Sequence, residues 1–185
     1  ALDESGQTDD TLIVLAGDNG LAVGQHGLMG KQNLYDHSVR VPLILAGPGV
    51  PKGRTSDALC YLTDLYATLC DLTGLDTPTS VEGPSFAPVL AGGEPPRSEL
   101  LLAYRHLQRA VREQRWKYIE YRVDGKRTCQ LFDLQEDPHE INDLAETPRG
   151  REHVQRLRPK LTRWRDELGD DTEFWDGFGE KNPEA

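Results

Sequence analysis

Residues 11–17, TLIVLAG, form an unbroken apolar run rich in branched side chains. Such a run suits a β-strand covered on both faces, as in a parallel sheet. Residues 41–46, VPLILA, repeat the pattern, and the GPGVPKG that follows has loop chemistry throughout. Pro42 stands at the start of this second strand, where a missing N–H is tolerated. In YLTDLYATLCDLTG, residues 61–74, Thr63 is positioned as an N-cap. Leu65, Tyr66, Leu69 and Leu72 then share one helical face, and Gly74 supplies the stop. Strand, long loop, strand and helix in succession predict an α/β layer.

The pattern changes after DTPTSVEGPSFAPVLAGGEPP, residues 76–96, a Pro/Gly-rich connection with a short apolar patch at Val89 and Leu90. ELLLAYR, RAVREQ, WKYIEYR and CQLFDL then read as an antiparallel meander of about four strands, with Asp124-Gly125 as a hairpin turn. Val154, Leu157, Leu161, Trp164 and Leu168 step along one helical stripe, and Gly169 ends it. The predicted organisation is α/β core over residues 1–90, antiparallel sheet plus helix over 91–169, and an acidic, loosely held tail over 170–185.

A net charge of −10 gives no support to a nucleic-acid face. No apolar run approaches the roughly 18 residues of a membrane span. Cys60, Cys70 and Cys129 form no CxxC pair and read as small hydrophobes. The chain opens on ALDESGQTDD, which reads as the tail of a helix and a polar turn. That opening predicts a chain starting partway through a larger protein, so the lack of a signal peptide leaves the compartment open.

The chemistry concentrates at the end of the first strand. In open α/β sheets ligands bind beyond the strands' carboxyl ends. There Asp18 and Asn19 offer a carboxylate and an amide oxygen, hard ligands suited to Ca²⁺, with Mg²⁺ second. Asp-Asn-Gly is equally a common hairpin turn, but LAVGQHGLMGKQN offers no alternating strand to return from one. Lys31 can hold an oxygen of a sulfate or phosphate as a point charge; its ordinary alternative is a solvated lysine. His26 is a candidate proton donor to a leaving group, and its ordinary alternative is a loop histidine bonded to backbone.

Several separated motifs then occur in one order: Asp18-Asn19-Gly20, Gly30-Lys31, Tyr35-Asp36 and Arg40-Val41-Pro42, followed by TDLYATLCDLTGL, RAVREQRWKYI and QLFDLQEDPHEINDLA. Over roughly residues 5–168 the chain resembles the C-terminal half of a type I, formylglycine-dependent sulfatase of the alkaline phosphatase superfamily. One departure is Asp143, inserted before Leu144 in the last motif. The resemblance implies a partial alkaline-phosphatase-like sheet followed by a small antiparallel β subdomain with a C-terminal helix. It implies Ca²⁺ ligation by Asp18 and Asn19 and sulfate contact by Lys31. It also implies a catalytic role for His26, a buttressing Arg40, and Arg105 and His106 as substrate contacts from the subdomain, where a strand-end surface pair is the plain alternative.

The implied partners are a sulfated small molecule or glycan and an N-terminal half of the same protein. The family is compatible with a periplasmic or secreted setting. The formylglycine comes from a Cys-x-(Pro/Ala)-x-Arg motif, and the three cysteines here read CYLTD, CDLTG and CQLFD. The nucleophile is therefore expected in the missing N-terminal part, and this chain alone is expected to be inactive. Two other readings keep the same residues: a phosphonate monoester hydrolase or phosphodiesterase of the superfamily, and a non-catalytic module.

Overall fold

The structure, a computed structural model, describes residues 1–178. In chain order its elements are α1 (Leu2–Ser5), β1 (Ile13–Ala16), β2 (Ala22–Val23), β3 (Met29–Gly30), α2 (Asp36–Val39), β4 (Leu43–Ala46), α3 (Asp64–Thr73), α4 (Ala87–Leu90), β5 (Glu99–Tyr104), β6 (Gln108–Glu113), β7 (Trp116–Val123), β8 (Lys126–Asp133) and α5 (Pro148–Leu168), with short 3₁₀ turns between. They divide into two compact units. One comprises Ala1–Gly20 and Arg40–Leu100; the other comprises Leu21–Val39 and the chain from Leu101 onward.

In the first unit β1 pairs with β4, Ile13 facing Ala46 and Leu15 facing Ile44. The pairing is antiparallel, which corrects the parallel expectation. An unbroken apolar run reports which faces could be covered, not which way the neighbouring strand runs. Ile13, Leu15 and Ile44 share one face and are 50%, 54% and 59% exposed. Gly47, at φ 124°, closes the end of β4 against β1: a Cβ there would lie 2.4 Å from the Thr11 carbonyl oxygen.

The helix anticipated after Thr63 is α3, stopped by Gly74 in the left-handed region. Its buried face is not the predicted one. Asp64, Ala67, Thr68 and Cys70 point inward, whereas Tyr66 is 55% exposed. Polar pairing outweighs the apolar stripe here. Asp64 takes both guanidinium nitrogens of Arg97 and the Tyr61 N–H, and Thr68 accepts from the Phe86 N–H. Thr63 occupies the N-cap position without capping through its side chain. The apolar patch at Val89 and Leu90 forms a single helical turn, α4.

The second unit holds the predicted meander, a four-stranded sheet in the order β5-β6-β7-β8. Asp124 and Gly125 both have positive φ, 51° and 74°, the signature of the two-residue turn that matches strand twist. Strand alternation gives the sheet two apolar faces. Val111, Tyr118 and Leu131 pack under α5 with Leu157 and Leu161; Ala110, Ile119 and Phe132 pack against Leu34 and Tyr35. Each buried leucine of α5 contributes about 1.5–3 kcal/mol by leaving water.

Thr147 caps α5 by accepting from the Gly150 N–H, Pro148 starts it and Gly169 ends it. Leu168, placed on the inward stripe by its spacing, is 61% exposed in the last turn. The stretch beyond α5 is held more firmly than expected, up to Phe178. Arg109 binds Asp170 and Thr172, and Phe174 is buried beneath the guanidinium groups of Arg109 and Arg127. The rest of the anticipated tail, 179–185, lies outside the described residues. No helix among the described residues is long and apolar enough to cross a membrane. All three cysteines are free thiols.

Candidate active site

Asp18 and Asn19 follow β1 directly, in the first unit. The Asn19 N–H donates to Asp18 Oδ1 at 2.9 Å, which orients the carboxylate. The Asn19 amide nitrogen donates to the Gly20 carbonyl, also at 2.9 Å, leaving Oδ1 as the acceptor end. The pair is thus a prearranged couple of hard oxygen donors. No group of three or more His, Cys, Asp or Glu suited to a metal occurs among the described residues. The donors fit Ca²⁺ in kind and supply only two of the roughly six to eight oxygens it takes.

Lys31 and His26 belong to the second unit. Asp-Asn-Gly is not a hairpin turn. A minimal hairpin does form just beyond it, which the glycines had argued against. Ala22 faces Gly30 and Val23 faces Met29, so exposed Lys31 leaves directly from β3. Between the strands the chain turns through Gly24 and Gly27, both at positive φ, and through His26 at φ 52° and ψ 22°. The His26 ring stacks on Tyr35, centroids 4.0 Å apart and planes within 5°. Its Nε2 lies 3.1 Å from the His139 carbonyl oxygen.

Arg105 sits in the β5–β6 turn at φ 47°, its guanidinium over the Tyr104 ring and its carbonyl accepting from Arg109. The neighbouring His106 pairs with Glu173 at 3.2 Å, both half exposed. Arg40 is exposed.

Three of the residues in the motifs that carried the family resemblance, Asp36, Lys117 and Glu140, gather elsewhere, in a buried ionic knot on the second face of the sheet. Lys117 is fully buried, and its ammonium donates to the Leu34 carbonyl, to Asp36 and to Glu140 at 2.7 Å. Glu140 also accepts from the Asp36 N–H at 2.5 Å, and Arg112 approaches Asp36 at 3.8 Å. Burial pushes the Glu140 carboxyl above its usual value in spite of Lys117. Asp133, from the same motif run, is gripped by Arg115 and Arg149, and the Arg115 bonds lead in holding its carboxyl low. Asp143 accepts from the N–H groups of Leu131 and Ala145, tying the loop to β8. Sequence reading found these positions as a signature and missed that they bind one another. The alternation of WKYIEYR, which turns Lys117 to the same face as Ile119, was the available signal.

His37 borders the knot, and its Nε2 is buried without a hydrogen-bond partner among the described residues. Burial, reinforced by His26 and Lys117 and opposed by Asp36, lowers its proton affinity. Burial likewise lowers that of His153, which stacks on Trp116. Both imidazoles are ordinary in the unfolded chain, at about 6.5. Between that value and their lower folded values the unfolded state therefore binds more protons. Stability is expected to fall as pH drops below about 6.5. Melting temperatures from pH 7.5 to 5.5 check this, and an unchanged or rising value would contradict it.

The motifs and the fold define a sulfatase-type C-terminal region. The family described as N-sulphoglucosamine sulphohydrolase, C-terminal, matches residues 24–167, and the chain belongs to it. It is 40% identical over 152 residues to choline-sulfatase of Rhizobium meliloti (strain 1021), a match covering 77% of this chain and 28% of that protein. The solved structure of BT4656 in complex with its substrate D-glucosamine-2-N,6-O-disulfate is similar with TM-score 0.82 and 26% identity, covering 94% of this chain and 37% of that one. The phosphonate monoester hydrolase of Agrobacterium radiobacter is similar with TM-score 0.75 and 27% identity, covering 90% and 37%. The chain thus spans between 28% and 37% of the length of these proteins.

Proposed function

We propose that this chain is the C-terminal portion of an enzyme that hydrolyses sulfate esters, carrying part of the calcium and sulfate site. The observation that carries the reading is the couple of oriented oxygen donors, Asp18 and Asn19, joined in sequence by the glycine-rich hairpin to Lys31. In this reading Asp18 and Asn19 hold Ca²⁺, with Mg²⁺ second, and further oxygens come from outside this pair. When bound, the ion supplies positive charge opposite the sulfate oxygens. Lys31 holds one sulfate oxygen as a point charge and steadies the charge that grows there as the ester bond breaks. His26 lies in the hairpin that leads to Lys31. The nucleophile, a formylglycine by resemblance, is not encoded in these residues, and the chain by itself is proposed to be inactive. Arg105 and His106 are proposed as contacts for a sulfated glycan at the β5–β6 turn.

The similarity to phosphonate monoester hydrolase supports a second reading with the same residues and a different ester. Steady-state assays of the full-length protein on an aryl sulfate and an aryl phosphonate monoester separate the two. The sulfate is expected to have the higher kcat/KM, and the reverse order would transfer the proposal to phosphonates. A double variant, Arg105→Ala with His106→Ala, is expected to raise KM for a glycan sulfate and leave the aryl sulfate unaffected. A KM for the glycan sulfate unchanged from wild type would remove the pair from the site.

A further inference from the structure

We propose that His26 is a positioning residue, a ring clamp that fixes the hairpin presenting Lys31, and not the proton donor. What Lys31 does once presented rests on the sulfatase reading above.

The backbone at His26 is the first observation. It adopts the left-handed conformation, at φ 52°, that a residue with a Cβ rarely holds, between Gly24 and Gly27 that hold theirs without penalty. A glycine at 26 would suit the turn better, so the imidazole must be what keeps a histidine there. Its contacts supply the reason. The ring lies flat on Tyr35, and Tyr35 is fastened to the sheet by its hydroxyl, which donates to Gln130 Oε1 at 2.7 Å, and by the edge of Phe132. Tyr121 donates to the same Gln130 oxygen. On its other side His26 meets the His139 carbonyl, next to Glu140 of the ionic knot. The clamp therefore grips rigid structure at two points.

The hydrogen bond also commits one ring nitrogen. A carbonyl oxygen only accepts, so Nε2 carries the proton and is occupied in donating it. From His26 the β2–β3 register carries the constraint to Gly30 and so to Lys31.

The test uses the full-length protein with an aryl sulfate. His26→Gly is expected to lower kcat/KM about 10- to 100-fold, mostly through KM, because small misplacements of a binding group cost that much. His26→Phe, which keeps the stack and loses the hydrogen bond, should fall between wild type and His26→Gly. In both variants the alkaline limb of the kcat–pH profile should stay where it is in wild type. Amide exchange in residues 27–31 should accelerate in His26→Gly. Loss of the alkaline limb in either variant, or unchanged kinetics and exchange, would overturn the proposal. Ring nitrogen NMR of the wild type gives a readout that needs no variant to fold: a proton on Nε2 is expected, and an Nε2 without one overturns the clamp. Lys31→Ala separates the levels. If it leaves kcat/KM intact, the sulfate reading fails and this inference with it; if it lowers kcat/KM while His26→Gly does not, only the clamp fails.

Discussion

Lys117→Met is expected to destabilise the protein by about 3–5 kcal/mol, the usual cost of removing one partner from a buried ion pair. The ammonium it deletes is fully buried and serves Asp36, Glu140 and the Leu34 carbonyl at once. Without it two carboxylates face each other, with Arg112 at 3.8 Å from Asp36 to offset them in part. Glu140, whose carboxyl burial already holds above its usual value, should take up a proton. The folded state then binds more protons than the unfolded one in that window. The deficit of Lys117→Met should therefore shrink as pH falls towards 4 and grow as pH rises through the shifted value. The triple variant, Lys117→Met with Asp36→Asn and Glu140→Gln, removes the charges together and should recover most of the loss. Urea midpoints of the full-length protein at pH 7 and pH 5 measure all of this. A Lys117→Met midpoint within error of wild type would mean that the knot is not a stabilising element.

The same knot explains what could be read from the chain beforehand. Period-two patterning in RAVREQ and WKYIEYR made the meander legible, and the Asp124-Gly125 turn is a local signal with a local cause. The α5 stripe was legible at Leu157 and Leu161, where spacing alone sets the buried face, and failed at Leu168, where the helix ends in solvent. Direction of pairing for β1 and β4 was not legible, because apolar content carries no information about it. The inward face of α3 was missed because it is chosen by long-range partners, Arg97 and Phe86, not by hydrophobicity. For the site, residue type and order pointed to Asp18, Asn19, His26 and Lys31. The bonds that orient Asp18 and Asn19 are between neighbours and follow from the Asp-Asn-Gly sequence itself. The partners of His26 lie at Tyr35 and His139, and a contact 113 positions away has no trace in local pattern.

Lys31→Ala is expected to lower kcat/KM on a sulfate ester by about 10²–10³-fold, the range for losing one preorganised donor to a charge that builds in the transition state. Lys31 is exposed, so truncation should change stability by no more than about 0.5 kcal/mol, as for other surface positions. That separation makes the kinetic effect interpretable. If Lys31 grips the sulfate equally in the bound ester and the transition state, the loss falls on KM alone; if it meets charge that appears only as the bond breaks, kcat falls as well. Competitive inhibition by inorganic sulfate should weaken in parallel with KM, since the ion offers the same oxygens. Lys31→Arg keeps the charge with a wider, planar head and should restore only part of the activity, because a point contact on one oxygen is replaced by a fork. Asp18→Ala should behave differently: added Ca²⁺ should partly offset its loss of activity, while the loss in Lys31→Ala stays the same at every Ca²⁺ concentration. Should the two variants respond alike to Ca²⁺, Asp18 and Lys31 would not hold the separate roles of ion ligand and sulfate contact.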